Sequence, residues 1–269
     1  MRFCYGLLLC CISCSCTTKK VITSSRTQPA ITGTQFYKIA FPYNWRQRDS
    51  FAVKEILNGN IPSFLKKFVA VHVQITDSVT GKVSKATYYV SPDYLSIGSD
   101  SDWARVGITP QAAQKIADSF NCFLPTRKMA DDIYKAAAVK LEPVPMYAFR
   151  DSSPTMYHHH LIIEGQRKGR KGLIAGIKKD VVLTGKIFRD AKQNRVAIYG
   201  WHKPGGKPIQ PLYTGHVDWY VDYSHGIRLV YRKIKVDGKW MDYIDVLKAP
   251  LLQKLLCDEQ YCDFYKYTY

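Results

Sequence analysis

The run FVAVHVQIT–DSVTGK–VSKATYYV (residues 68–90) sets the fold class. Its first arm alternates apolar and polar side chains, so that His72 shares a face with Gln74 and Thr76. That two-residue period belongs to a strand with one face against a core. Residues 77–82 have turn composition, and VSKATYYV returns the chain. The pattern predicts a β-hairpin.

Upstream, 35–42 (QFYKIAFP) reads as a first strand and 50–58 (SFAVKEILN) as a short helix ended by Gly59. Downstream, Thr109-Pro110 is an N-cap followed by proline at the first helical position, and QAAQKIADSF continues the helix. Pro125-Thr126 interrupts it, and 127–141 resumes helix with Thr126 as cap. Ile116, Phe120, Met129, Ile133 and Ala137 supply the apolar stripe. The Pro/Ser-rich stretch 142–156 reads as a linker or a long excursion. Beyond it, 158–164 (HHHLIIE), 179–187, 195–201 and 226–236 read as strands, the last closed by Asp237-Gly238, and 242–256 as helix broken at Pro250. Strands and helices are segregated rather than alternating, so the expected class is α+β, with a mostly antiparallel sheet and a helical pair near 110–141. One domain over 35–269 is expected.

The densest chemistry lies between Tyr199 and Arg228, which holds three of the seven histidines, His202, His216 and His225, with Asp218 and Asp222. If 216–222 is extended, His216, Asp218, Tyr220 and Asp222 share a face. A histidine backed by a carboxylate is an acid–base unit, because the carboxylate fixes the tautomer and raises basicity. The expected catalytic set is therefore His202, His216, Asp218, Asp222 and His225, with Arg228 and Lys179 as anion contacts. The spacing matches no standard zinc pattern, and the sequence specifies neither a metal nor a cofactor. His158, His159 and His160 on a strand would alternate between faces. No G-x-S-x-G, H-E-x-x-H or phosphate loop occurs.

Ser224-His225-Gly226 followed by Arg228-Leu229 resembles the Ser-His-Gly-Cys-x-Arg signature of the L,D-transpeptidase family, which cross-links peptidoglycan through a cysteine thioester. Residues 198–202 (IYGWH) resemble that family's earlier histidine-glycine strand. Here Ile227 follows Gly226, so the cysteine is missing and the arginine stands one residue early. The resemblance implies a cell-wall substrate and carries over no thioester chemistry.

The formal charge of +17 describes partners rather than fold and suits polyanions. Arg167, Lys168, Arg170 and Lys171 form a basic loop able to contact one. At the N-terminus, one arginine and an apolar run of about ten residues lead into cysteines, a stretch too short to span a membrane at roughly 18 residues. Ser13-Cys14 fits the small-residue-then-cysteine ending of a bacterial lipoprotein signal, with Cys16 and Cys11 as alternatives. Residues 1–16 are expected to be that signal and 17–34 a flexible tether. The expected location is the cell envelope, lipid-anchored to the membrane and facing periplasm or exterior. Export permits a Cys257–Cys262 disulfide and leaves Cys122 as a buried thiol. The expected function is hydrolysis or transfer on a cell-wall or other glycan/peptide polymer. The alternative is a non-catalytic lipoprotein that grips peptidoglycan or an acidic glycan through its basic loop. No nucleic acid partner is expected.

Overall fold

The computed structural model describes residues 18–190 and 192–269. The expected lipoprotein signal, with Cys14 as its lipidation site, lies outside the described residues. The first half carries β1 (Thr18–Lys20), α1 (Gly33–Ile39), α2 (Trp45–Leu57), β2 (Lys67–Thr76), β3 (Val83–Val90), β4 (Ser96–Gly98), β5 (Trp103–Arg105), α3 (Pro110–Ser119), β6 (Cys122–Phe123) and α4 (Arg127–Ala136). The second half carries β7 (Val139–Lys140), α5 (Ser153–Arg167), β8 (Ile174–Ala175), β9 (Lys179–Val181), α6 (Lys186–Arg189), β10 (Arg195–His202), β11 (Pro208–Val217), β12 (His225–Gly226), β13 (Val230–Tyr231), β14 (Lys233–Val236), β15 (Lys239–Asp242) and α7 (Tyr243–Lys248).

The chain is α+β. The 68–90 hairpin forms as β2–β3, with Val69 opposite Val90 and Thr76 opposite Val83. It seeds an antiparallel sheet of order β1-β2-β3-β13-β6, to which β14 and β15 are added beside β3. A second sheet has the order β11-β10-β9-β12, and only its β9–β12 pair is parallel. Helices α3 and α4 start at Thr109 and Thr126, whose hydroxyls accept from the Ala112 and Met129 amides. Ile116, Met129 and Ile133 are buried in one apolar core that draws on both sheets and runs from Ile22 to Tyr267. Phe120 and Ala137 pack at its edge.

Several expectations are corrected. Residues 35–42 begin in helix α1, because Thr32 and Gln35 form a reciprocal capping box that the strand reading overlooked. Residues 158–164 lie in helix α5: Ser152 caps it, Pro154 sits in its first turn, and Met156, His159, His160 and Ile163 are buried at helical spacing. The 226–236 strand is broken into β12, β13 and β14. From residue 18 onward the expected tether is part of the domain. β1 covers the free edge of β2, Ile22 is buried, and Arg26 bonds Asn60 and the Ile31 carbonyl.

Candidate active site

The parallel pairing of β12 with β9 sets His225 beside Lys179 and Gly226 beside Asp180. Gly226 is needed at this point, since a Cβ would stand 2.5 Å from the Tyr94 ring and 2.7 Å from Lys178 Cβ. Before β12 the chain turns tightly at 222–225, where the His225 amide donates to the Asp222 carbonyl over 3.1 Å. The same turn is tied to the 142–152 excursion: Tyr223 N donates to Arg150 O over 2.9 Å, and Met146 N donates to Tyr223 OH over 2.7 Å. These bonds bring Arg150, remote in sequence, against Asp222.

Asp222 is fully buried. Its Oδ1 accepts from the Ser224 amide (2.8 Å) and hydroxyl (2.5 Å); its Oδ2 accepts from Arg150 Nη2 (3.1 Å) and Tyr220 OH (3.3 Å). His225 Nε2 lies 3.9 Å from Asp222 Oδ1 and has no hydrogen-bond partner among the described residues. The half-buried His216 ring packs against Tyr220 (centroids 4.7 Å) and His225 (5.7 Å). Lys179 Nζ lies 5.1 Å above the Trp201 ring. The result is a layered set, with Asp222 deepest, His225 next, and His216 and Tyr220 toward the surface.

Burial works to raise the Asp222 carboxyl, but the His225 charge, the Ser224 donors and Lys179 outweigh it and hold Asp222 ionised below the usual carboxylate range. Burial drives the His225 imidazole below the ordinary histidine value; Asp222 opposes this, while Lys179, His216 and Lys178 add to it. His216 is lowered for the same reasons, by burial first and then by Lys179 and Arg150, against Asp222. Burial also lowers the Lys179 ammonium. At neutral pH the set therefore holds two unprotonated imidazoles and one carboxylate beside two cations.

Of the five expected catalytic residues, His216, Asp222 and His225 come together. His202 does not join them. A bulge in β10, with Gly200 and Trp201 at positive φ, turns the His202 ring toward α4, where Nε2 lies 2.7 Å from Asp131 Oδ1. Tyr199 OH donates to the same carboxylate over 2.8 Å, and Tyr134 stacks on the ring at 4.5 Å. Asp218 is separate too. The β10–β11 ladder ends at the Arg195–Val217 pair, so the chain turns past Val217 instead of continuing to alternate. Asp218 then accepts from Gln111 Nε2 at 2.5 Å.

The anion contacts are partly corrected. Lys179 lines the cluster, but Arg228 is buried elsewhere. It donates to the Ser91 and Ile174 carbonyls (2.9 and 2.7 Å), lies over the Tyr94 ring and stands 3.7 Å from Asp180, away from Asp222. The basic loop is the C-terminal end of α5. Arg170 donates to the Gln166 and Arg167 carbonyls, Arg167 pairs with Glu164 at 3.0 Å, and Lys168 is the left-handed cap. Cations suit the negative end of a helix, which accounts for this cluster structurally. Lys171 stays exposed.

Sequence reasoning missed a second buried polar layer. Arg105 forms a two-point pair with Asp93 (2.9 and 2.6 Å), bonds Glu164 at 2.8 Å, and approaches His160 Nδ1 at 3.3 Å. Lys178 donates to the Tyr223 carbonyl and lies 3.2 Å from His159 Nδ1; burial pulls its ammonium down to about 7. Only the helical spacing of 156, 159, 160 and 163 could have pointed inward from the sequence. His158, His159 and His160 do not form a ligand set, and among the described residues no three His, Cys, Asp or Glu side chains converge as metal ligands. Cys257 and Cys262 are disulfide-bonded and Cys122 is a buried free thiol.

No family model, no curated protein and no solved structure matches this chain.

Proposed function

We propose that this chain is an exported envelope enzyme that hydrolyses or transfers an acyl group, through an ester or amide bond, on a cell-wall or other glycan/peptide polymer. The observation that carries the reading is the stack of Asp222, His225 and His216, a buried ionised carboxylate behind two imidazoles held unprotonated at neutral pH.

His216, the half-exposed ring, takes a proton from water or an acceptor hydroxyl as that oxygen attacks the carbonyl. It returns the proton to the departing alcohol or amine. His225 and Asp222 lie behind it and stabilise the imidazolium that forms. Lys179 and Arg150 exceed the single carboxylate in charge, a surplus that suits an oxyanion. Acyl chemistry fits better than glycosidic cleavage. A glycosidase needs a carboxylic acid with a raised pKa, whereas Asp222 is held down and has both oxygens engaged.

The purely binding alternative receives less support, because Arg170 bonds to the end of α5 and Arg167 to Glu164 and the Arg170 carbonyl. The experiment is incubation of the full-length protein with purified sacculi and with acylated acidic glycans in H₂¹⁸O, followed by mass spectrometry. One ¹⁸O in a newly released carboxylate supports acyl hydrolysis. Fragments cleaved at glycosidic bonds, or co-sedimentation without any release, argue against it.

A further inference from the structure

Tyr220 belongs both to the Asp222–His225–His216 cluster and to a neighbouring cleft. Its hydroxyl donates to Asp222, and the residue also walls a cleft of about 340 Å³ formed with Tyr43, Trp45, Arg48, Ser153, Trp219 and one carboxylate, Asp151. That volume lies at the small end of ligand pockets, which run roughly 300–1,000 Å³. Two long helices begin at its wall. Asn44 caps the 13-residue α2 and Ser152 the 15-residue α5, so Trp45 and Ser153 are first-turn residues whose amides have no intrahelical acceptor. A helix N-terminus favours negative charge.

Arg48 provides an independent observation. It is 3% exposed, its Nη1 donates to the Asp151 carbonyl at 3.0 Å, and its Nε has no hydrogen-bond partner among the described residues. Its sequence neighbour Asp49 is turned away, with its carboxylate accepting from Thr109 N and Oγ1. Burial lowers the guanidinium, as expected of a desolvated cation. A buried guanidinium whose Nε has no partner among the described residues is costly to hold, and an anion in the cleft would relieve part of that cost. The walls are aromatic: the Trp45 and Trp219 rings stack at 6.3 Å and Trp219 is 49% exposed. Flat aromatic faces beside a cation fit a ring that itself carries a negative group.

We propose that this cleft binds the carboxylate of an acidic pyranose, a hexuronate-type sugar, with Arg48 and the two helix N-termini holding the carboxylate and Trp219 lying against the sugar ring. The inference rests on the acyl-transfer reading above and deepens it, placing an acidic sugar of the polymer next to His216 across Tyr220.

The test is isothermal titration calorimetry on the full-length protein with glucuronate, glucose, N-acetyl-alanine and inorganic phosphate. Glucuronate is expected to bind at least about tenfold more tightly than glucose, a preference of roughly 1.4 kcal/mol. Arg48→Gln should abolish that preference, and Trp219→Ala should weaken both sugars together. If Arg48→Gln does not fold, Trp219→Ala decides: weaker binding with the preference kept supports the site, and unchanged binding overturns it. Equal affinity for glucuronate and glucose, or no saturable heat, overturns the proposal. Tighter binding of N-acetyl-alanine also overturns it and makes this a peptide-carboxylate site; tighter phosphate makes it a phosphate site. His225→Ala separates the two readings: it should lose turnover and keep glucuronate affinity, so that a failure of catalysis is not mistaken for a failure of this cleft.

Discussion

His225 Nε2 stands 3.9 Å from Asp222 Oδ1, and both side chains are sealed from solvent. The separation is too long for a hydrogen bond yet close enough for the carboxylate to favour the imidazolium. In the proposed reaction Asp222 therefore favours positive charge on the imidazole stack in front of it without being hydrogen-bonded to His225. Asp222→Asn removes the charge and keeps the shape. It should lower kcat by about a hundredfold or more, the range of acid–base contributions. Steady-state kinetics check this, and a thermal melt separates it from unfolding, since Arg150 and Lys179 lose their counter-charge.

The pH dependence follows from the sign of the imidazole shifts. His216 and His225 both lie below the ordinary histidine value, so the base form persists as pH falls through about 6.5. Activity should stay level from pH 8 through that point and decline only at more acidic pH. A profile whose acid limb has its midpoint at or above 6.5 would contradict the burial argument.

Stability should follow the same direction. His159, His160 and His225 are buried with lowered values, so the unfolded chain binds more protons than the folded one below about pH 6.5. Their contribution is fully present above that pH and is lost as pH falls toward the folded values. Urea midpoints measured between pH 5 and 8 should fall on the acid side.

Asp93→Asn should destabilise the fold by about 3–5 kcal/mol, because it leaves the buried Arg105 guanidinium without its principal counter-charge. Chemical denaturation reads this directly. Glu164→Gln, which removes a part-exposed partner of the same arginine, should cost clearly less.

The disulfide closes a short loop, with Cys257 and Cys262 only five positions apart. Chain-entropy reasoning gives such a loop about 2 kcal/mol. The Cys257→Ser/Cys262→Ser protein should fold and melt at a moderately lower temperature. Cys122, whose thiol is raised by burial, should resist alkylation until the chain is unfolded.

What could be read from the sequence was local. The β2–β3 hairpin and the Thr109 and Thr126 caps are encoded within a few residues, and they appear where expected. Helix α5 was misread because its inward face mixes His159 and His160 with Met156 and Ile163, so no simple apolar stripe marks the period. The candidate site was partly legible because His216, Asp222 and His225 are near one another in the chain. Arg150 and Asp131 come from distant segments, and no local pattern could bring them in. Asp218 was misplaced because strand alternation was extended past Val217, where the ladder ends; Arg228 was placed at the cluster by its nearness in sequence, whereas its guanidinium is bonded to the Ser91 and Ile174 carbonyls.

The central claim is that Asp222, His225 and His216 form the acid–base centre while the Asp131–His202 pair is structural. Initial rates of ¹⁸O-labelled carboxylate release from sacculi or acylated acidic glycan, measured for His216→Ala, His225→Ala and His202→Ala alongside the unaltered protein, test it most directly. The account predicts losses of about a hundredfold or more for the first two and a change within about threefold for His202→Ala in folded protein. Full activity in His216→Ala and His225→Ala, or a collapse confined to His202→Ala, would contradict it.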